Sequence, residues 1–259
     1  MLGSPIEHSL SPVLHRAAYT ALGLDWSYDA RECTADGLPA MVQAAAGDPA
    51  WAGFSLTMPL KLAVLPLLTD TEPLARAVGA VNTVVPRSGG IAGANTDVPG
   101  MIDALREAGM TRVAAAAILG AGGTAQAALA ALRELGETSP TVLVRSTARA
   151  GALIAAADRL GVTPQLRTWP EGIPAGVELV LSTVPSGAAD GLPLPASCEL
   201  LFDVVYAPWP TPLAEQARVA GARIVSGLDL LVHQACGQVR LMTGQDIGPE
   251  VLRAAVERL

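Results

Sequence analysis

Lys61 and Asp97, in the first part of the chain, are candidates for a pair of residues that transfers protons. A lysine can lose its proton when it is desolvated, whereas an arginine effectively cannot. Lys61 is the only lysine among 17 basic residues, the others all being arginine. If the two side chains meet, they can act as a general acid and base. The alternative is an exposed lysine and an aspartate in a turn, without shared chemistry.

Small polar residues on either side of Lys61 offer hydrogen bonds to a polar ligand. They are Ser9, Ser11, Ser55, Thr57, Asn82, Thr83, Asn95 and Thr96. Serine, threonine and asparagine also cap helices and close turns, and Ser11 before Pro12 has the pattern of a helix N-cap. Each residue by itself therefore has a structural explanation as well as a functional one.

A glycine-rich turn in the middle of the chain has the pattern of a phosphate-binding loop. Its residues are Gly120, Ala121, Gly122, Gly123, Thr124 and Ala125. An apolar run precedes the turn and a strong helix former follows it, which is the context that this motif requires. Glycine allows close approach of a pyrophosphate, which then lies at the helix N-terminus. The turn predicts nucleotide binding, and a glycine-rich turn in another α/β fold is the alternative.

The end of the next predicted strand indicates which dinucleotide binds. NAD-binding domains usually carry an acid there for the ribose 2′-hydroxyl, but residues 138–157 contain no Asp or Glu. The segment instead contains Arg145, Ser146, Thr147 and Arg149. Guanidinium and hydroxyl groups suit a 2′-phosphate, so the pattern predicts NADP. Surface arginines near the start of a helix are the alternative.

Strands and helices alternate along the second part of the chain. Buried strands are predicted at 113–119, 141–144, 177–182, 200–205 and 223–225, and helices at 126–135 and 148–160. This alternation predicts a Rossmann-type doubly wound parallel sheet. In the first part, helices are predicted at 12–22, 38–45 and 99–108, and strands at 26–30 and 53–56.

The predicted fold class is α/β with two domains. An N-terminal α/β domain is formed by residues 1–99 and 228–259, because two C-terminal helices, at 228–243 and 249–259, are expected to return to it. The Rossmann-type domain is formed by residues 100–227. A chain of 259 residues is long enough for two domains of ordinary size.

Composition argues against several classes of function. A net charge of −7 disfavours binding to nucleic acid or to anionic membranes, since both need a positive field. No apolar run approaches the roughly 18 residues of a membrane span. The three cysteines are too widely spaced for a disulfide framework. His8, His15 and His233 lack the spacing of a zinc site. We therefore expect a cytoplasmic protein without a bound metal, either a monomer or a homodimer.

Short motifs along nearly the whole chain resemble those of the shikimate dehydrogenase family. In the first part they are residues 3–6 (GSPI), 8–15 (HSLSPVLH), 56–61 (LTMPLK), 79–83 (GAVNT) and 93–100 (GANTDVPG). In the second part they are residues 120–125 (GAGGTA), 145–149 (RSTAR), 203–208 (DVVYAP) and 227–234 (GLDLLVHQ). Each motif is modest by itself, and their shared order makes the resemblance specific.

The resemblance implies an enzyme that reversibly reduces 3-dehydroshikimate to shikimate with NADP, in the biosynthesis of chorismate and aromatic amino acids. It implies that Lys61 and Asp97 handle the proton of the 3-hydroxyl while hydride is exchanged with the nicotinamide. The implied substrate ligands are Ser9, Ser11, Thr57, Asn82, Asp97, Tyr206 and Gln234. The implied NADP contacts are the turn from Gly120 to Ala125, Arg145, Ser146, Thr147, Arg149, Val204 and Gly227.

The chain departs from the family's usual motifs at several positions. Ser55 and Arg16 stand where the family usually has asparagine. Two other functions stay open on the sequence alone. One is a quinate/shikimate dehydrogenase that uses NAD, since the sequence does not show the shape of the pocket. The other is a non-catalytic NADP-binding regulator on the same fold, since fold does not determine activity.

Overall fold

The structure is a computed structural model that describes residues 1–258. The chain forms two compact units. The first unit combines Met1–Gly100 with the segment that starts at Leu231. The second unit is the continuous stretch Met101–Leu230. Leu259, which ends the last predicted helix, lies outside the described residues.

The first unit contains short strands and a layer of helices. Its strands are β1 (Leu2–Gly3), β2 (Arg31–Glu32), β3 (Phe54–Ser55), β4 (Asp70–Thr71), β5 (Thr83–Arg87) and β6 (Gly90–Ala94). Its helices are α1 (Ser11–Ala21), α2 (Leu38–Gly47), α3 (Leu60–Ala63), α4 (Pro73–Val78), the start of α5 (Asp97–Glu107), most of α9 (Gly227–Thr243), and α10 (Pro249–Val256). A 3-10 turn covers Leu65–Leu67.

Two small sheets organise the first unit. One contains β1 and β2 in parallel, and the other has the order β3-β5-β6-β4. A bridge between Leu2 and Leu56 connects the two. Apolar side chains from both sheets form one buried core with α2 and α3, whose members include Leu2, Leu38, Phe54, Leu56, Leu60, Val81 and Val84. Burial of these side chains is the main driving force for this unit.

One sequence prediction for the first unit is wrong, and several of its elements, the β5–β6 hairpin among them, are not predicted. The strand predicted at 26–30 is absent, and the strand in that region is Arg31–Glu32. This strand pairs in parallel with β1, with Leu2 opposite Arg31. Tyr28, in the region predicted as a strand, stacks on the ring of His15. The β5–β6 hairpin is not predicted, because Pro86 lacks a backbone donor and glycine-rich β6 has weak strand propensity.

The second unit is a Rossmann-type domain. Its strands are β7 (Ala116–Leu119), β8 (Thr141–Val144), β9 (Gln165–Thr168), β10 (Leu179–Ser182), β11 (Leu200–Asp203) and β12 (Arg223–Ser226). The helices between them are α6 (Gly123–Glu134), α7 (Gly151–Leu160) and α8 (Pro212–Val219). The strands form one sheet of order β12-β11-β10-β7-β8-β9 in which every pairing is parallel. This is the strand order of dinucleotide-binding folds.

The strand and helix predictions for this unit agree with the structure to within a few residues, with three differences. Helix α8 (Pro212–Val219) is not predicted. Strand β9 is not predicted, because its sequence, Gln-Leu-Arg-Thr, lies at the edge of the sheet and is only partly buried. The helix predicted at 148–160 begins with a 3-10 turn at Thr147–Arg149, and the α-helix proper starts at Gly151. Small residues predominate in α6, where Ala125, Ala127, Ala128 and Ala131 are fully buried.

His15 makes the stability of the fold dependent on pH. Burial lowers the pKa of His15 to about 4, although Nδ1 donates a hydrogen bond to the carbonyl oxygen of Ser11. The unfolded chain takes up a proton near pH 6.5, so stability should fall as the pH drops from there towards 4. We expect about 2 kcal/mol less stability at pH 5 than at pH 7 from this group.

Urea denaturation of the wild type and of His15→Gln at both pH values measures this effect. The variant has no imidazole to protonate, so its loss of stability between pH 7 and pH 5 should be smaller. An equal loss in both proteins would mean that other groups cause the pH dependence.

Along residues 1–258, no helix is both long enough and apolar enough to cross a membrane. The same part of the chain contains no group of three or more His, Cys, Asp or Glu side chains that could hold a metal ion.

Candidate active site

The structure brings Lys61 and Asp97 together in the first unit. Lys61 lies on the short helix α3, and Asp97 is the first residue of α5. Lys61 Nζ donates to Asp97 Oδ2 at 2.6 Å. The side chain of Lys61 is 14% exposed and that of Asp97 is 5% exposed. An ammonium group and a carboxylate thus form an ion pair that is largely shielded from solvent. The lysine side chain remains partly accessible to solvent.

Asn82 holds the second oxygen of the carboxylate. Its Nδ2 donates to Asp97 Oδ1 at 2.8 Å and lies 2.9 Å from Thr96 Oγ1 and 3.4 Å from Gln234 Oε1. Its Oδ1 accepts hydrogen bonds from the Thr96 backbone N–H and from the Thr83 hydroxyl. Because both ends of this amide are occupied, its orientation is determined, and the amide fixes the Asp97 carboxylate.

Backbone contacts place these side chains next to one another. The Val81 N–H donates to the carbonyl of Lys61, and the Leu56 N–H donates to the carbonyl of Asn82. Gln238 Nε2 also donates to the Asn82 carbonyl at 3.3 Å. Helix α9 packs so closely here that a Cβ on Gly100 would lie 2.8 Å from the Gln234 nitrogen. The site therefore depends on segments from both ends of the chain.

Ser9, Ser11 and Thr57 belong to the same unit. Ser11 is 1% exposed, and its hydroxyl has no hydrogen-bond partner among residues 1–258. It does not cap α1, because the N-cap is Leu10 and no side chain caps that helix. Ser9 Oγ accepts from the Ser11 N–H at 3.3 Å. Thr57 is half-buried, and its methyl group fills the space beside Gly3. An orphaned buried hydroxyl needs an explanation.

Ser55 and Arg16, two of the departures from the family's motifs, bond to other parts of the unit. The Ser55 hydroxyl is paired with the Tyr28 hydroxyl and lies 2.8 Å from Met1 Sδ. Arg16 forms an exposed ion pair with Asp29 at 2.6 Å, and its Nε donates to the Tyr28 carbonyl. None of these contacts involves Lys61 or Asp97.

The glycine-rich turn of the second unit is open where a phosphate would lie. Gly120 has φ +104°, and a Cβ there would lie 2.8 Å from the Thr183 hydroxyl oxygen. A Cβ on Gly122 would meet nothing within 4 Å. No side chain caps the N-terminus of α6, and the fully buried Ala125 lets the helix pack on the sheet. The first backbone N–H groups of a helix have no partner within the helix, so this end fits a pyrophosphate.

The basic segment that follows β8 fits a second phosphate. Arg145, Thr147 and Arg149 are exposed, and Ser146 is half-buried. The guanidinium groups of Arg145 and Arg149 form no ion pair or hydrogen bond within residues 1–258. Two unpaired guanidinium groups at the end of the second strand suit the 2′-phosphate of NADP, as the sequence predicts.

The remaining predicted residues also lie in the second unit. Val204 and Tyr206 follow strand β11 and are half-buried. Gly227 lies against this loop so closely that a Cβ would be 2.1 Å from the Val204 carbonyl oxygen. Tyr206 and Lys61 thus belong to different units of the chain.

Comparison with known proteins identifies the family. The model of the shikimate dehydrogenase substrate binding domain matches residues 1–84, and that of the shikimate 5′-dehydrogenase C-terminal domain matches residues 227–257. The shikimate dehydrogenase (NADP(+)) of Oleidesulfovibrio alaskensis is 36% identical over 266 residues, which cover 99% of this chain and 93% of that protein. The chain belongs to the shikimate dehydrogenase family.

Solved structures of the shikimate dehydrogenase family agree in fold. The enzyme of Mycobacterium tuberculosis is 41% identical with a TM-score of 0.88, over 100% of this chain and 98% of that chain. The enzyme of Thermus thermophilus, in complex with NADP(H) and shikimate, is 33% identical with a TM-score of 0.85, over 99% and 97% of the two chains. The predicted α/β fold with a Rossmann-type domain is confirmed.

Sequence reasoning did not find the structural contacts of several residues, one of which, Thr96, it named only as a possible partner of a polar ligand. Thr96 and Gln238 both hold Asn82. Gln238 is one helical turn after Gln234, and that spacing puts two amides on the same helix face, which is a readable signal. Asp203 accepts a hydrogen bond from Thr211 at 2.7 Å, and burial raises the pKa of its carboxyl group. Thr211 in turn caps α8 by accepting from the Ala214 N–H.

Proposed function

We propose that this protein catalyses the NADP-dependent, reversible reduction of 3-dehydroshikimate to shikimate, as a cytoplasmic enzyme of chorismate and aromatic amino acid biosynthesis. The observation that carries the proposal is the shielded Lys61–Asp97 ion pair, whose carboxylate is fixed by Asn82. Residues 1–99 and 228–259 would bind the substrate, and residues 100–227 would bind NADP.

The substrate would be held by the hydroxyl and amide groups of the first unit. Ser9, Ser11, Thr57, Asn82 and Gln234 offer several donors and acceptors, which a polyol acid needs for a single bound orientation. The unpartnered Ser11 hydroxyl supports this role because it has bonding capacity that the protein itself leaves unused. Tyr206 would contribute a further hydroxyl from the second unit.

Lys61 and Asp97 would move the proton of the reaction. In the reductive direction, the Lys61 ammonium donates a proton to the oxygen at carbon 3, and Asp97 stabilises the positive charge until transfer. In the oxidative direction, the same pair receives the hydroxyl proton. The 2.6 Å contact between Nζ and Oδ2 keeps the amine oriented. Proton transfer of this kind needs a group within hydrogen-bond reach of the substrate oxygen.

The second unit would hold NADP. Bound NADP supplies the hydride carrier that the side chains of the protein lack. The turn from Gly120 to Ala125 would receive the pyrophosphate, and Arg145, Ser146, Thr147 and Arg149 would bind the 2′-phosphate. Val204 and Gly227 would lie at the nicotinamide end, where the two backbones approach so closely that a side chain on Gly227 would clash with Val204.

The direct test measures kcat/KM of the purified protein for shikimate and for quinate, each with NADP and with NAD. We expect shikimate with NADP to be the best of the four combinations, because no acid follows β8 and two arginines do. Equal or better turnover with NAD would contradict the assignment of the cofactor. Better turnover of quinate would favour a quinate/shikimate dehydrogenase, and no turnover with any pair would favour a regulator.

Gly122 gives a prediction that separates folding from cofactor binding. A Cβ at this position would meet nothing within 4 Å, and its φ of −81° is accessible to alanine. Gly122→Ala should therefore fold, with a loss of stability of at most about 1 kcal/mol, because Gly122 is the N-cap of α6 and alanine is a poorer N-cap than glycine. The added methyl group would occupy the space of the pyrophosphate, so we expect KM for NADP to rise by about tenfold or more.

Gly151→Ala is the matched control, since a Cβ there also meets nothing within 4 Å and the residue begins α7 rather than α6. Gly151→Ala should leave the stability nearly unchanged, and it should not raise KM for NADP as Gly122→Ala does. If Gly122→Ala has an unchanged KM for NADP, the pyrophosphate does not bind at this turn.

A further inference from the structure

A cavity in the first unit gathers most of the aromatic residues of the protein. The chain contains only 2 Phe, 4 Trp and 3 Tyr residues. Five of these nine side chains line one cavity of about 800 Å³, namely Tyr19, Trp26, Tyr28, Trp51 and Phe54. Its volume is within the range of small-molecule sites. We call it the aromatic cavity.

The aromatic cavity is distinct from the Lys61 site. It includes Pro86 and Arg87 at one end of β5, whereas Asn82 precedes the other end of that strand. An extended strand rises about 3.4 Å per residue, so the two ends of β5 are roughly 14 Å apart. None of Lys61, Asp97, Asn82 and Gln234 lines the cavity.

The cavity walls present aromatic rings in fixed orientations. Trp51 packs edge-on against the buried Phe54, with ring centroids 6.0 Å apart. Tyr19 packs edge-on against Trp26 at 5.4 Å. Trp26 nevertheless remains 39% exposed, which makes it one of the few exposed large apolar side chains among the described residues. Rings held by neighbouring rings offer preformed stacking surfaces for another planar ring.

The charges on the lining favour an anion. Arg31 and Arg87 both line the cavity, and neither guanidinium forms an ion pair within residues 1–258. Arg31 lies over the ring of Trp51 at 5.7 Å. Of the acids on the lining, Asp29 is already paired with Arg16, which leaves Asp25. Arginine binds carboxylates through two parallel hydrogen bonds, so a carboxylate suits these groups.

We propose that the aromatic cavity binds a planar aromatic carboxylate, with the ring against Trp26 and Trp51 and the carboxylate on Arg31 and Arg87. The site contains no group assigned to oxidoreduction, so the proposal does not depend on the proposed function.

Isothermal titration calorimetry with benzoate, 4-hydroxybenzoate and indole-3-carboxylate tests the proposal. Benzamide, without the charge, and cyclohexanecarboxylate, without the aromatic ring, are the matched compounds. We expect at least one of the three aromatic carboxylates to bind, and to bind more tightly than both matched compounds. Its affinity should fall about tenfold or more in Arg31→Gln and in Arg87→Gln, which is the usual effect of losing a hydrogen bond to a charged group. Saturating shikimate and NADP should leave it unchanged.

Arg76→Gln is the control variant. Arg76 is an exposed arginine of the same unit that pairs with Asp70 and does not line the cavity, so this variant should bind like the wild type. Three results would overturn the proposal: no binding of the three carboxylates, an affinity unchanged from the wild type in both cavity variants, or competition by shikimate. A dimer in analytical ultracentrifugation that Trp26→Ser converts to a monomer would also overturn it, because a second copy would then cover the cavity.

Discussion

Replacing Lys61 by alanine should lower kcat by about 10²- to 10⁴-fold, the usual contribution of general acid–base catalysis. The variant loses the only amine in the site, whose Nζ lies 2.6 Å from Asp97 Oδ2. Binding of shikimate and NADP, measured by calorimetry, should survive comparatively well, because the hydroxyl and amide groups and the second unit are unchanged. A near-wild-type kcat would remove Lys61 from the mechanism.

Lys61→Arg distinguishes proton transfer from electrostatic attraction. Arginine keeps the positive charge beside Asp97 but does not release its proton. We therefore expect this variant to recover little of the lost kcat. If it turns over at nearly the wild-type rate, Lys61 positions the substrate by its charge and does not transfer the proton. Steady-state kinetics of the three proteins under one set of conditions decide between these roles.

Removing both arginines that follow β8 should have the second largest effect. In the double variant Arg145→Gln and Arg149→Gln, kcat/KM for NADP should fall by about 10²-fold or more, because each hydrogen bond to a charged group contributes about 1.5 to 3 kcal/mol. Turnover with NAD, which lacks the 2′-phosphate, should change little. The ratio of kcat/KM for NADP to kcat/KM for NAD therefore measures the preference of the enzyme for NADP directly.

Arg133→Gln is the matched control for this experiment. Arg133 lies in the last turn of α6, is exposed and belongs to the same unit. Its replacement removes one positive charge, half the change in the double variant, from a position away from the end of β8. It should leave both kcat/KM values unchanged. An equal fall for NADP and NAD in the double variant would indicate a structural effect and contradict 2′-phosphate recognition.

Local patterns in the sequence were sufficient to predict most of the second unit. The turn at Gly120 lies between an apolar strand and an alanine-rich helix, and all the information needed to recognise it lies within about two dozen neighbouring residues. The strands β8, β10 and β11 are continuous apolar runs because both faces of a parallel sheet are buried. Strand β9 lacks this pattern because it lies at the edge.

The candidate site in the first unit was only partly predictable, because its geometry depends on distant contacts. Lys61, Asn82 and Asp97 could be named from residue type and motif. That Gln238 supports the Asn82 carbonyl depends on a helix more than 150 residues later, and single-sequence patterns do not report such pairs. The aromatic cavity is similar, since Tyr19, Trp51 and the other rings are scattered along the sequence and come together only through packing.

The division of the chain has a consequence for its synthesis on the ribosome. The second unit is one continuous stretch, Met101–Leu230, so it can fold as soon as that stretch emerges. The first unit needs α10, which packs on α1, and Gln238, which bonds to Asn82. Domains generally fold as units during translation. We therefore expect the Rossmann-type unit to fold before the Lys61 site, which needs residues of α9 and α10 that are synthesised later.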